Sequence, residues 1–183
     1  MTYSTAYTSS GNYPINLVDQ TGKGIEISIH APSSYICINR ERIFPEWKNK
    51  FCFWVVIVLQ NSRCQLFRTT TEIEDEKERL REKFMRFGFD LAFNLRDHSY
   101  LTDLIDPRTG YPLFSRPGRI PHDDTAAVQA LLGYQTIKNK CRVIIHPKWR
   151  TAVYPSVLIS QAPPVIIEWS VKSIAPMHGW EEV

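Results

Sequence analysis

Cys141 and His146 are the pair of side chains in this sequence that comes nearest to a nucleophile with its base. A thiol needs a neighbouring imidazole to become a thiolate near neutral pH. Side chains alternate along a strand, however, so an offset of five residues sends the two to opposite faces. We therefore expect a buried thiol and a histidine at the solvent edge. The remaining histidines are scattered, and we expect them on the surface: His30, His98, His122 and His178.

Asp103 and Asp106 are a second candidate pair, because two nearby carboxyl groups can act as general acid and base. Asp106 precedes Pro107 and lies in a segment that ends at Gly110, which is the chemistry of a turn. In such a turn the carboxylate accepts hydrogen bonds from its own backbone. The turn accounts for Asp106 without catalysis, and it is the interpretation that we favour.

The motifs of common nucleotide, hydrolase and zinc sites are missing. The sequence has no G-x-G-x-x-G, P-loop, G-x-S-x-G, H-E-x-x-H or C-x-x-C pattern, and no D-x-H-x-x-G through which one group of cobalamin proteins binds cobalt. Four cysteines without a secretory signal predict reduced thiols in an intracellular protein, with Cys52 buried in an apolar run. Residues 1–22 lack Arg and Lys, unlike a cleavable mitochondrial presequence.

A basic stretch runs from Lys138 to Arg150 and contains no acidic residue. Its cations with Trp149 among them would suit phosphate contact and base stacking, as in binding to RNA. A solvated strand edge that resists aggregation explains the same charges, and we favour this alternative. The residues proposed for contact with a partner or RNA are Lys138, Arg142, Lys148, Trp149 and Arg150.

The composition predicts one globular domain. The chain has 183 residues, of which 43% are hydrophobic and 22% charged, and its net charge is +3. The longest apolar run, Phe51 to Leu59, is nine residues long. A membrane-spanning helix needs about 20 residues, so no such helix is expected.

Hydrophobic periodicity predicts the strands. Ile25 to Ile29 alternates and indicates a strand buried on one face, whereas Phe51 to Gln60 is typical of a central strand buried on both faces. A strand at Gln65 to Ile73 is predicted to pair with the central strand, Phe51 to Gln60. The later strands are predicted at Tyr100–Leu104 and Tyr111–Phe114, which form a hairpin, and at Arg142–His146, Ala152–Ile159 and Val165–Val171.

The helices complete an α+β layout. The apolar stripe from Leu80 to Leu95 predicts a helix over Glu76–Arg96, capped by Asp75. A second helix covers Thr125–Leu132, begun by Asp123 or Asp124 and ended by Gly133. A short helix around Asn39–Ile43 is a weaker prediction. We expect an irregular arm over residues 1–24, the domain over 25–172 and a tail over 173–183.

Residues 76–114, followed by LLGY at 131–134 and CRVIIHPKW at 141–149, carry a resemblance to a known family. They resemble the carboxy-terminal domain of the methylmalonic aciduria and homocystinuria type D protein family, which handles cobalamin (vitamin B12). The likeness spans about residues 28–160, and it is most specific at 105–110 and 141–149.

The resemblance implies a nitroreductase-related β-sheet flanked by helices, without flavin and without enzyme activity. It also implies docking onto the cobalamin-processing type C protein in cytosol or mitochondria. In the family, the first of two adjacent cysteines can bind cobalt as a thiolate. Here Lys140 occupies that position and Cys141 the second. A protonated amine cannot coordinate a metal, so we expect the isolated chain to bind no cofactor and cobalamin to require a partner.

These observations give three hypotheses. The first is a non-catalytic cobalamin-trafficking protein that acts through protein contacts. The second is a scaffold subunit of a larger assembly, mitochondrial or RNA-containing, that has kept the fold. The third is a flavin-dependent oxidoreductase, which rests on fold analogy alone.

Overall fold

The computed structural model describes residues 14–50, 52–138 and 141–183, which form a single α+β domain. Its sheet is flanked by four helices, none of which is long and apolar enough to cross a membrane. Short 3-10 turns lie at Pro45–Trp47 and Ala175–His178. In chain order the elements are β1 (Ile15–Asp19), β2 (Gly24–His30), α1 (Ser34–Ile43), β3 (Trp54–Asn61), α2 (Thr71–Asp97), β4 (Thr102–Leu104), α3 (Asp124–Leu132), β5 (Gln135–Lys138), β6 (Arg142–Ile145), β7 (Val153–Ser160), α4 (Pro164–Ile174) and β8 (Trp180–Glu182).

Six strands form an antiparallel sheet in the order β4-β7-β3-β2-β1-β8, while β5 and β6 form a separate ribbon. The prediction of a central strand buried on both faces is confirmed by β3, which pairs with β2 and β7. The prediction that β2 is buried on one face only is wrong, because Gly24 to His30 is covered on both sides. The sheet is therefore the middle layer of three.

Alternate residues of β3 belong to two hydrophobic cores. Val56 and Val58 lie in the core that contains the buried stripes of α2 and α4. Val55, Ile57 and Leu59 lie in the other core, with side chains from α1, α3 and β6. This division follows from the two-residue period of a strand.

The long helix is confirmed, with a longer amino-terminal end than predicted. Its apolar stripe is buried, but the helix begins at Thr71, and the N-cap is Thr70 rather than Asp75. The Thr70 hydroxyl accepts a hydrogen bond from the Ile73 N–H at 3.3 Å. Thr70 has the extended backbone that an N-cap requires, so capping is satisfied one turn earlier than the periodicity indicates.

The predicted strands at Gln65–Ile73 and Val165–Val171 are not formed. Residues 65–70 form a loop. This loop is attached to the segment just before β7, because the Leu66 N–H bonds to the Thr151 carbonyl at 3.0 Å. The segment 165–171 is part of α4, whose first residue is Pro164. Its buried residues Ile167, Val171 and Ile174 recur at helical spacing, and packing on α2 overrides the β-propensity of a Val/Ile-rich run.

Other boundaries change in smaller ways. The expectation of an irregular arm is wrong for residues 15–19, which form β1, and the tail contributes β8 beside it. Helix α1 covers ten residues instead of five, with Ser33 as its N-cap. The hairpin after α2 is reduced to one bridge, Ile105 to Pro112, because β4 pairs with β7. Helix α3 is confirmed, with Asp123 as cap and Gly133 at φ 71°.

Replacing Phe84 by alanine should test how α2 holds the sheet. Phe84 is fully buried in the core shared with Val56 and Val58, so we expect a loss of about 3 to 5 kcal/mol in the free energy of unfolding. Urea unfolding followed by circular dichroism measures the change. The control is Phe93→Ala on the same helix, whose side chain is half exposed. A loss for Phe84→Ala below about 1 kcal/mol would contradict this packing.

Candidate functional site

A cavity of about 430 Å³ opens where the loop at 107–110, the start of α3, β6 and β7 meet. Two of the predicted site residues line it, the exposed Cys141 and the neighbouring Arg142. Its walls combine apolar side chains with at least as many polar or charged ones. The polar lining residues on which the following paragraphs depend are Arg108, His122, Asp124, Cys141, Arg142 and Tyr154.

Asp106 holds the loop that forms one wall of this cavity. The Arg81 guanidinium donates two hydrogen bonds to the Asp106 carboxylate, at 2.7 and 3.0 Å. The Arg108 N–H donates a third at 3.0 Å, which confirms the predicted turn. Gly110 closes the loop at φ 73°, and a Cβ there would lie 2.4 Å from the His122 carbonyl oxygen, so only glycine fits.

Asp103 has a similar structural role. Its carboxylate accepts hydrogen bonds from the N–H groups of Leu104, Leu113 and Phe114 at 2.9 to 3.2 Å, and one from the Ser115 hydroxyl. The Asp103 carboxylate is therefore occupied by backbone N–H groups and the Ser115 hydroxyl, and the Asp106 carboxylate by Arg81 of α2 and the Arg108 N–H. This arrangement favours the structural interpretation over the acid–base pair.

His122 and Asp124 form a buried pair that the sequence did not predict. The His122 Nδ1 lies 2.8 Å from the Asp124 Oδ1, and both side chains are less than a tenth exposed. The imidazole also stacks on Phe44, with ring centroids 5.8 Å apart. The prediction of a surface position for His122 is wrong, because the loop at 107–110 and α1's end cover it. A lone histidine just before a helix cap gives no sequence signal for this burial.

Burial shifts two pKa values in this cavity. It raises the pKa of Asp124, and the hydrogen bond from His122 only partly offsets this effect. It also raises the pKa of the Tyr154 hydroxyl, with a further contribution from the negative charge of Asp124. Within the described residues, the His122 Nε2 and the Asp124 Oδ2 are buried without a hydrogen-bond partner. The part of the cavity lined by His122 and Asp124 is therefore polar, and not all of its hydrogen-bonding atoms have a partner.

Cys141 is exposed, so the expectation of a buried thiol is wrong. The residue lies in the connection between β5 and β6, since Lys138 pairs with Arg142 across the ribbon. The alternation of strand side chains does not apply in such a connection. Lys140, the position of the family's ligand cysteine, lies outside the described residues. The predicted burial of Cys52 is also wrong, because that thiol is exposed.

His146 is buried away from this cavity, which contradicts the expected solvent-edge position. Its Nδ1 accepts hydrogen bonds from the N–H groups of Lys148 and Trp149, both at 3.1 Å. The proton is therefore on Nε2, which donates to the Glu26 Oε2 at 3.0 Å. This bond ties the turn after β6 to β2. His146 is therefore not placed to act as a base for Cys141.

Several side chains of the basic stretch already have partners within the domain. Trp149 stacks on His146 at 4.0 Å between ring centroids, and it also packs against Gly24, so part of its ring is already covered. Arg142 pairs with Asp123 at 3.4 Å, and Lys148 lies 3.8 Å from Glu26. Lys138 and Arg150 are exposed. The contact of these residues with a partner or RNA stays a prediction.

The part of the chain that the structure describes contains no group of three or more His, Cys, Asp or Glu residues that could hold a metal ion. The site is thus a cavity with an exposed thiol at its rim and a buried histidine–carboxylate pair inside.

Comparison with known proteins assigns the chain to a family. The sequence profile described as methylmalonic aciduria and homocystinuria type D protein matches residues 6–168. The chain belongs to this family.

The curated relatives are 26 to 27% identical to this chain. The chain is 27% identical over 141 residues to the cobalamin trafficking protein CblD of Homo sapiens, a match that covers 76% of this chain and 47% of that protein. It is 27% identical over 139 residues to the Rattus norvegicus protein of the same name, covering 75% and 47%. The Gallus gallus protein of that name is 26% identical over 141 residues, covering 76% and 47%. The chain thus spans about half the length of the curated relatives that it matches.

Replacing Asp106 by asparagine should loosen the cavity wall in a pH-dependent way. Burial opposes ionisation of Asp106, but the hydrogen bonds from Arg81 and the Arg108 N–H outweigh it and lower the pKa of the carboxyl group. A lowered folded-state pKa stabilises the fold above the ordinary value near 4, and this stabilisation is lost as the pH falls through the folded-state value. We expect Asp106→Asn to cost about 1 to 3 kcal/mol at neutral pH.

Urea unfolding at a series of pH values from 7 down to about 2 measures this effect. The difference between parent and Asp106→Asn should be largest at neutral pH and shrink in acid. Asp97→Asn removes an exposed carboxylate from the end of α2 and is the control. A difference that stays constant over the whole pH range would show that ionised Asp106 is not what stabilises the loop.

Proposed function

We propose that this protein is a non-catalytic cobalamin-trafficking protein that acts through contacts with a cobalamin-processing partner. The observation that carries the proposal is the family match over residues 6–168. The relatives named as cobalamin trafficking proteins support it, although the chain spans about half of their length. The proposed partner is a type C-like protein, in the cytoplasm or in mitochondria.

The geometry of the candidate residues supports a role without catalysis. The carboxylates of Asp103 and Asp106 are occupied by structural donors. His146 is bound to Glu26, so it does not serve Cys141. His122 lines the same cavity as Cys141, but its free Nε2 is buried while the thiol is exposed. An exposed thiol therefore has no positioned base among these histidines.

The connection between β5 and β6 is the segment that we propose to face cobalamin in the partner. It contains Lys140 and Cys141, and Cys141 lies exposed at the rim of the cavity. A lysine at the ligand position is protonated near neutral pH and offers no lone pair to cobalt. In this proposal the partner binds the cobalamin, and this chain contributes docking contacts without ligating the metal.

The scaffold alternative, a subunit of a larger and RNA-containing assembly, has weaker support. It is motivated by the lost ligand cysteine and by the basic stretch, whose cations and Trp149 would contact phosphates and bases. The ring of Trp149 is instead stacked on His146, and Arg142 is paired with Asp123. The first contact reduces the ring surface that is available for stacking on bases, and the second reduces the positive charge that is available to phosphates.

The experiment that tests the trafficking proposal restores the missing cysteine. Purified protein is mixed with a type C-like partner and cobalamin, and the visible spectrum is recorded. The parent should show no thiolate-to-cobalt change, whereas Lys140→Cys should acquire one, because nearby cations favour the thiolate. Lys138→Cys is the matched control, since it places a thiol at the exposed end of β5 instead.

Three results would contradict this proposal or a part of it. A thiolate spectrum in the parent that disappears in Cys141→Ser would show that Cys141 ligates cobalt itself. Failure of the parent to co-elute with the partner in gel filtration would remove the docking role. If Lys140→Cys binds the partner but gives no spectrum, this segment does not face the cobalamin.

A further inference from the structure

A second cleft, of about 550 Å³, lies on a different part of the domain. It is bounded by the carboxy-terminal end of α1, the turn at Pro45–Trp47 and the segment 116–119. It shares no lining residue with the cavity at Cys141. Its lining residues are Glu41, Arg42, Pro45, Lys48, Arg116, Pro117, Gly118 and Arg119.

The cleft concentrates positive charge. Four of its lining side chains are cationic and exposed, and one, Glu41, is acidic. In the described parts of the chain, none of the four cations has a carboxylate within ion-pair distance. Other arginines of this protein do have such a partner: Arg79, Arg81, Arg86, Arg108 and Arg142.

The backbone around these cations is held in place. A Cβ on Gly118 would lie 2.1 Å from the Arg42 carbonyl oxygen, so the segment 116–119 packs directly on the end of α1. The Ile120 N–H bonds to the Arg42 carbonyl at 3.2 Å, and the Arg116 N–H bonds to the Glu46 carboxylate at 3.0 Å. The cations therefore project from two segments that are fixed relative to each other, which reduces the ordering cost of binding an anion.

The dipole of α1 explains only part of this charge. Cations in the last turn of a helix are favourable, which accounts for Arg42. Arg116 and Arg119 come from a separate segment far along the chain, and they add repulsion that a capping role does not require. An anionic ligand would remove this repulsion.

We propose that this cleft binds a compact, multiply charged phosphate anion, such as pyrophosphate or the polyphosphate end of a nucleotide. Guanidinium groups match phosphate oxygens in pairs of hydrogen bonds, and three of the four cations are arginines. No lining residue is aromatic, so the cleft lacks the stacking surface of a single-stranded nucleic-acid site. It also lacks the aromatic and aliphatic anchors of a protein interface.

Calorimetric titration of the full chain with pyrophosphate tests the proposal. The variant Arg116→Gln together with Arg119→Gln should bind at least about tenfold more weakly, because it removes charge-assisted hydrogen bonds. The control is Arg63→Gln together with Arg68→Gln, which makes the same change in net charge at exposed arginines outside the cleft. We expect the control to change affinity less than about twofold.

Glu41→Gln gives a test in the opposite direction. It removes the acid from the lining, so pyrophosphate should bind about twofold more tightly. A merely structural role of the cations at the end of α1 would leave affinity unchanged. Circular dichroism melting of each variant establishes that the fold is retained.

Several results would overturn the proposal. Absence of pyrophosphate binding to the parent at low salt would do so, as would an equal loss in the control pair, which would indicate nonspecific attraction. Monovalent chloride or singly charged acetate competing as well as pyrophosphate would exclude a site for a multiply charged anion. A short single-stranded RNA that binds more tightly through Arg116 and Arg119 would assign the cleft to nucleic acid instead.

Discussion

The burial of β3 on both faces is the constraint on which the rest of this structure depends. All eight of its residues pair with β7 on one side, and six of them, Val55 to Gln60, pair with β2 on the other. Because its side chains alternate, it supplies both hydrophobic cores at once. Helices α2 and α4 must then cover one face, and α1 and α3 the other. The candidate site lies at an edge of the second core, where β7, β6 and the start of α3 meet.

Buried polar groups attach the loops to this framework. Asp106 joins the cavity loop to Arg81 of α2, and Glu26 of β2 joins His146 after β6. A buried charge or imidazole without a partner is costly, so each of these groups specifies where its loop must lie. Carboxylates and histidines that suggest catalysis by residue type thus act mainly as structural anchors. The exposed Cys141 remains on the segment that these anchors position.

Strands β5 and β6 form a ribbon that is separate from the main sheet. The ribbon is held at its base, where His146 bonds to Glu26 of β2 and stacks on Trp149. This leaves Cys141 exposed and outside both hydrophobic cores. The basic cleft at the end of α1 is formed by other segments, so the two sites can be altered independently.

Local patterns in the sequence were enough for the elements that carry their own signals: the apolar stripe of α2, the β-branched run of β3, and the Asp123 and Gly133 caps of α3. The family resemblance at 105–110 and 141–149 was also readable from the residues. Only the tertiary structure decided that 165–171 is helical, that β1 and β8 extend the sheet, and that His122 and His146 are buried while Cys141 is exposed. These outcomes depend on which distant segment packs against each residue, and a local sequence pattern does not specify that segment.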